Sequence, residues 1–229
     1  VNESTVSGFE LLYATPGAGD ASEIAGHLLL RVKLNNRPPQ ALRTEENPQD
    51  LIISFLANTD TERQRRVRNQ SVTPQLECKK NWFDLADHGA DDFNAWQSIT
   101  QSLKGLSGGF LTIMDRQTLA QAIKNYTIKE DRNLLRYRLN LSAEQKSRLL
   151  QHLYQVKKNY KAKYYFFSQN CASVLVKVIG QGLQDAEIAE FNPIVSPPNS
   201  LVALFVRKGL ATPVYPSFYS YREKGFLAQ

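Results

Sequence analysis

Three apolar stretches near the start of the chain set its frame. Phe9 to Thr15 reads as a strand, ended by the loop signal Pro16-Gly-Ala-Gly19. Gly26-His27 opens a second strand, Leu28-Leu-Leu-Arg-Val-Lys-Leu34, whose start is continuously apolar and which Asn35-Asn-Arg-Pro-Pro39 breaks. Asp50-Leu-Ile-Ile-Ser-Phe-Leu-Ala-Asn58 is a third strand, dense enough in apolar residues to be covered on both faces. Together they predict an antiparallel sheet, with the pairing left open.

The pattern then changes. Thr59 to Asp92 is polar, irregular and charge-rich, an excursion from the core with short helices expected around Trp82 to Asp87. A helix from Phe93 to Leu103 and the flexible Lys104-Gly-Leu-Ser-Gly-Gly109 follow. Phe110 to Ile113 reads as a strand, Asp115 to Tyr126 as a helix, and Arg136-Tyr-Arg-Leu-Asn-Leu141 as an alternating strand. Ser142-Ala-Glu-Gln145 has capping-box spacing, and Leu149, Leu150, Leu153 and Val156 mark the inner face of a helix to about Lys158. The aromatic run Tyr164 to Phe167 predicts a buried strand. Ser168, Gln169 and Asn170 offer cap chemistry, and Val174, Leu175, Val178 and Ile179 give one face of the next helix, stopped at Gly180-Gln-Gly182. Pro193 to Pro198 predicts a loop, Ser200 to Arg207 a last short helix, and the proline- and aromatic-rich tail an extended segment.

Composition narrows the function classes. The 229 residues suit one sizeable core, or one core with an inserted subdomain at about 59–104. No apolar run approaches the roughly 18 residues that cross a membrane. The chain starts at Val1 with no signal-peptide pattern, as a mature or excised segment would. A net charge of +6 favours anionic partners, an anionic membrane surface among them. The densest basic cluster, Arg63-Gln-Arg-Arg-Val-Arg68, lacks interleaved aromatics and a reading module, so no nucleic-acid partner is expected. The glycines of 104–109 meet neither the phosphate-loop nor the dinucleotide spacing. No metal-ligand spacing occurs, and neither a metal nor a cofactor is expected. Cys78 and Cys171 allow one disulfide at most; a catalytic Cys171 would leave Cys78 unpaired.

Chemistry concentrates at Cys171, in the first turn of a helix that leaves a strand. The free N–H groups and positive dipole end of that turn favour a thiolate, so the residue is either a nucleophile or an inert buried thiol. A cysteine nucleophile needs a base, and the chain has three histidines. His27, at a strand start after a glycine that lets another segment approach, is the best placed; His88 sits in a loop and His152 inside a helix as a structural residue. Ser54, Asn58 and Asp60, at the end of the third strand, are candidates for a third member. Asn170 is either the helix cap or a catalytic residue. The charges of Lys129-Glu-Asp-Arg-Asn133 either bracket a site or form a surface ion-pair cluster, and the surface cluster is the expectation.

Several stretches in order resemble the family of the N-terminal periplasmic domain of the lipoprotein N-acyltransferase Lnb. They are Gly26-His-Leu-Leu-Leu-Arg31, Asp50 to Asn58, Lys104 to Gly109, Tyr126 through Glu130-Asp-Arg132 to Tyr137-Arg-Leu-Asn-Leu-Ser142, and Tyr165-Phe-Phe-Ser-Gln-Asn-Cys171. Val195-Ser-Pro-Pro-Asn199 and Pro216-Ser217 add support, and the similarity runs from about 9 to 217. The resemblance implies an α+β fold: a circularly permuted papain-like core, an antiparallel sheet with packed helices and a polar insertion, as one domain over 1–229. It implies a bacterial cell-envelope protein, periplasmic or outer-membrane associated. The chemistry implied is acyl transfer or amide hydrolysis through a thioester on Cys171, with His27 as base and a lipid- or lipoprotein-borne acyl group as substrate. The opposing expectation is a non-catalytic binding or scaffold domain of a larger envelope protein, with Cys171 buried.

Overall fold

The computed structural model describes residues 5–17, 26–35, 46–58, 110–159, 163–164, 170–191 and 197–220. The basic cluster of 63–68, the helices expected around 82–87 and 93–103, the glycines of 104–109, Asp60, Cys78 and His88 lie outside them, as does most of the aromatic run 164–167.

The described residues form an α+β fold built on one seven-stranded sheet. β1 (Val6–Ala14), β2 (His27–Leu34), β3 (Leu51–Asn58), β4 (Phe110–Thr118), β5 (Leu134–Leu139), β6 (Lys163–Tyr164) and β7 (Ala211–Phe218) lie in the order β6-β4-β3-β2-β1-β5-β7. Every neighbouring pair is antiparallel. The helices are α1 (Leu119–Ile123), which continues as a π-helical turn Lys124–Lys129, then α2 (Ala143–Asn159), α3 (Cys171–Leu183), α4 (Ala186–Ala189) and α5 (Pro198–Arg207).

β2 occupies the middle of the sheet, which explains its unbroken Leu28-Leu29-Leu30: all three are fully buried, alternately on opposite faces. On one face Phe9, Leu11, Leu28, Leu30, Ile53 and Phe55 meet α2, α3 and α5. On the other, Leu12, Ala14, Leu29 and Ile52 meet Leu119, Ala122 and Tyr126. α3 is the central helix, with only Lys177 and Gln181 exposed between Ala172 and Leu183. Each of its fully buried Val, Leu and Ile side chains contributes about 1.5–3 kcal/mol.

Two boundaries differ most from expectation. Asp115 to Thr118 belongs to β4, not to a helix, because those residues complete the ladder with Leu51 to Ser54. The helix begins only at Leu119, behind a capping box between Thr118 and Gln121. α3 also runs through Gly180 to Leu183 and ends at Gln184 in the left-handed conformation. Gly180 is there for packing: a Cβ would lie 2.4 Å from the backbone nitrogen of Ala189 in α4. The proline-rich tail is extended as expected, and as edge strand β7 it tolerates Pro213 and Pro216.

Candidate active site

The C-terminal end of β1, the first residue of β2, the approach to β5 and the N-terminus of α3 meet at one end of the sheet. Cys171 is the first residue of α3, and Asn170 caps it: its side-chain oxygen accepts from the N–H groups of Ala172 at 3.1 Å and Ser173 at 3.0 Å. The sulfur therefore stands at the open end of a helix buried along nearly its whole length. It receives backbone N–H groups from Leu28, Ala172 and Cys171 itself.

The Leu28 donor fixes the relation to the sheet, since Leu28 directly follows His27. His27 pairs with Ala14 across the β1–β2 ladder. Gly26 before it takes φ +79°, and a Cβ there would sit 2.7 Å from the Tyr13 ring and 2.9 Å from the Ala14 carbonyl oxygen. The expected close approach at this glycine is thus by β1. The half-buried His27 stacks on the Tyr126 ring, with centroids 6.0 Å apart and planes inclined by 17°.

Arg132 completes the cluster. It is 3 % exposed, so it is no surface residue as its charged neighbourhood led one to expect. Its Nε donates to the Thr15 carbonyl at 2.6 Å, Nη2 to the Ala14 carbonyl at 3.2 Å and Nη1 to Glu130 at 2.9 Å. The guanidinium lies 5.4 Å from the centroid of the Tyr126 ring. Burial pushes the Tyr126 phenol well above its ordinary value, helped by Glu130 and opposed by Arg132, with Cys171 and Asp115 as smaller influences.

Electrostatics at the sulfur run against the sequence expectation. Burial pushes the Cys171 thiol up to about 11, outweighing the three N–H donors and Arg132, all of which favour the thiolate. The helix N-terminus acts in the expected direction but loses to desolvation, so the resting group is a thiol.

The other candidates divide by position. Asn58 ends β3 opposite Leu111, at the same end of the sheet as His27. Ser54 is buried in mid-strand opposite Asp115. His152 lies on α2 beside Gly182, eleven residues along α3 from Cys171, or about 16 Å at the helical rise. Tyr126 and Arg132 are the members that sequence reasoning did not single out; their presence together in the stretch Tyr126 to Arg132 was the available signal. Among the described residues no group of His, Cys, Asp and Glu is arranged to hold a metal ion.

A cavity of about 570 Å³, lined by Val32, Leu51, Ile53, Met114, Leu150 and Leu153 among others, opens between the sheet and α2. Val32 is five residues along β2 from His27, or roughly 16 Å. That cavity is separate from the cysteine.

Among the described residues no helix is long and apolar enough to cross a membrane. Comparison with curated proteins and with solved structures gives no match. The family model of the Lnb N-terminal periplasmic domain matches residues 74–195, a span narrower than the 9–217 read from the sequence. It takes in Tyr126, Arg132, Asn170 and Cys171 and leaves His27 outside. Because the match covers more than half of the chain, the protein belongs to the Lnb N-terminal periplasmic domain family and is a periplasmic protein.

Proposed function

We propose that this domain is a cysteine-dependent acyltransferase or amidohydrolase acting on a lipid- or peptide-linked acyl group. The observation that carries this reading is the place of the sulfur: it takes the N–H of the residue after His27 at the open N-terminus of α3. Cys171 is the nucleophile and His27 the general base. Because the resting group is a thiol, the proton leaves sulfur for the imidazole as sulfur attacks the carbonyl carbon. The backbone N–H of Cys171 then faces the developing negative charge. Collapse of the tetrahedral intermediate expels an alcohol or amine, which takes the proton from His27 and leaves a thioester. Water or an amine resolves the thioester and regenerates the thiol.

In this reading Asn170 holds the helix start, and Asn58 is the candidate third member. The chain is one permuted papain-like domain over 1–229, with an inserted subdomain at about 59–104. The net charge of +6 supports contact with an anionic membrane surface.

The test is covalent capture. Incubation with a p-nitrophenyl acyl ester should add one acyl mass to Cys171, read by peptide mass spectrometry. Cys171→Ala should abolish the adduct, and His27→Asn should slow its formation at least a hundredfold at pH 7.5. An adduct on Cys171→Ala removes the nucleophile assignment. The raised thiol favours a second reading, a non-catalytic binding or scaffold domain with an inert cysteine. No adduct on the wild-type chain would select it.

A further inference from the structure

We infer that Tyr126 and Arg132 act as one positioning unit for the Cys171–His27 pair: the guanidinium fixes the ring, the ring fixes the imidazole, and the charge of the guanidinium favours the thiolate. The inference rests on the proposed cysteine chemistry but is read from different contacts. Arg132 is tied to Tyr126 twice, through the cation–ring contact and through its backbone N–H, which donates to the Tyr126 carbonyl at 2.8 Å. Asp131, at φ +49°, makes the sharp turn that folds Arg132 back over the ring. The guanidinium also grips the carbonyls of Ala14 and Thr15, and Ala14 is the strand partner of His27. The same Tyr126 ring stacks on the imidazole. Both residues are at least 97 % buried, at 2 % and 3 % exposure, so this is a built arrangement and not a surface contact. The charged and titratable groups around it include Glu130 on Arg132 and Tyr126, Asp115 and Cys171 on Tyr126, and Arg132 on Cys171 and Tyr13.

A cation near a thiol favours the thiolate by about one pH unit or more, so losing it cuts the reactive fraction about tenfold below the inflection. Iodoacetamide alkylation of Cys171 at pH 9 reads the charge alone, and acyl capture at pH 7.5 reads charge and imidazole position together. Arg132→Met should slow alkylation about tenfold and capture about a hundredfold. Arg132→Lys keeps the charge but loses the two-carbonyl grip, so alkylation should stay within threefold while capture falls about thirtyfold. Tyr126→Phe should match wild type in both, whereas Tyr126→Leu should keep alkylation and lose about thirtyfold in capture.

Alkylation of Arg132→Met within twofold of wild type would overturn the electrostatic half. Undiminished capture by Tyr126→Leu, or a loss in Tyr126→Phe as large as in Tyr126→Leu, would overturn the positioning half. Should Arg132→Met fail to fold, unchanged capture by Arg132→Lys would overturn the unit. Alkylation needs no acyl substrate, so a chain that captures no ester would lose the proposed activity while the Arg132 effect was still decided.

Discussion

Arg31 and Arg132 are both withdrawn from solvent, yet their guanidinium groups are held by different kinds of partner. Arg31, fully buried in the central strand, meets three carboxylates: Glu10 at 2.8 Å, Asp50 at 2.5 and 2.8 Å, and Glu46. Glu10 is shared with Arg136 at 3.2 Å and Lys33 at 3.1 Å, so charge is balanced inside the network. Arg132 meets one carboxylate and two backbone carbonyls, and its field reaches Cys171 and Tyr126. Burial therefore does not separate a structural cation from one proposed to act on the cysteine. What separates them is where the charge is felt: among carboxylates for Arg31, and also at a thiol and a phenol for Arg132.

That contrast breaks most readily at Arg31. Arg31→Met takes the guanidinium from the buried Asp50 and leaves Glu10 to Arg136 and Lys33, and removing one partner of a buried ion pair costs about 3–5 kcal/mol. Urea unfolding at pH 7 should show a loss of that size. Burial alone would raise the Glu10 pKa, but Arg31, Arg136 and Lys33 outweigh it and hold the carboxyl below its ordinary 4.5. Its folded value lies below the unfolded one, so it contributes stability that is present above about pH 4.5 and lost as pH falls through the folded value. Without Arg31 that contribution shrinks, and the gap between wild type and Arg31→Met should narrow from pH 7 to pH 4. A gap of equal size at both would show that the network's worth is packing and not charge.

Much of this architecture was legible in local sequence. The Ser142–Gln145 capping box forms as read, with reciprocal bonds of 2.9 and 3.1 Å. Leu149, Leu153 and Val156 are buried on α2 as their spacing required. The helix start at Cys171 and the close approach at Gly26 were also readable, because caps and tight contacts are written within a few residues. The two arginines were not. Arg31 is one polar residue in an apolar strand until β1 and the 46–50 segment supply its carboxylates. Arg132 owes its burial to carbonyls 117 and 118 residues away. The same long-range pairing took Asp115 to Thr118 from a helix into β4.

A smaller effect sharpens the contrast from the Cys171 side. The folded thiol value of about 11 lies above the ordinary 9.0, so the folded state holds this proton more tightly. The group contributes stability that is fully present below about pH 9 and lost as pH rises through 11. A gap of two units corresponds to about 3 kcal/mol once titration is complete, of which about 2 kcal/mol is lost by pH 11. Cys171→Ala should match wild type within roughly 1 kcal/mol at pH 8. Between pH 8 and pH 11 it should lose about 2 kcal/mol less than wild type in urea unfolding. Equal losses would mean that the thiol titrates at its ordinary value.

The smallest expected effect separates Asn170 as cap from Asn170 as participant. Asn170→Ala removes the acceptor for two N–H groups of α3 and should cost about 1 kcal/mol. Asn170→Asp keeps the acceptor and places a negative charge at the positive end of the helix, so stability should hold. That same charge, close to the sulfur, disfavours the thiolate and should slow alkylation at pH 9 severalfold. A cap thus predicts opposite orders for the two variants: Asp above Ala in stability, Ala above Asp in alkylation rate. If Asn170→Ala instead kept its stability and lost acyl capture, the carboxamide would be acting on the reacting groups, and the helix start would need another anchor.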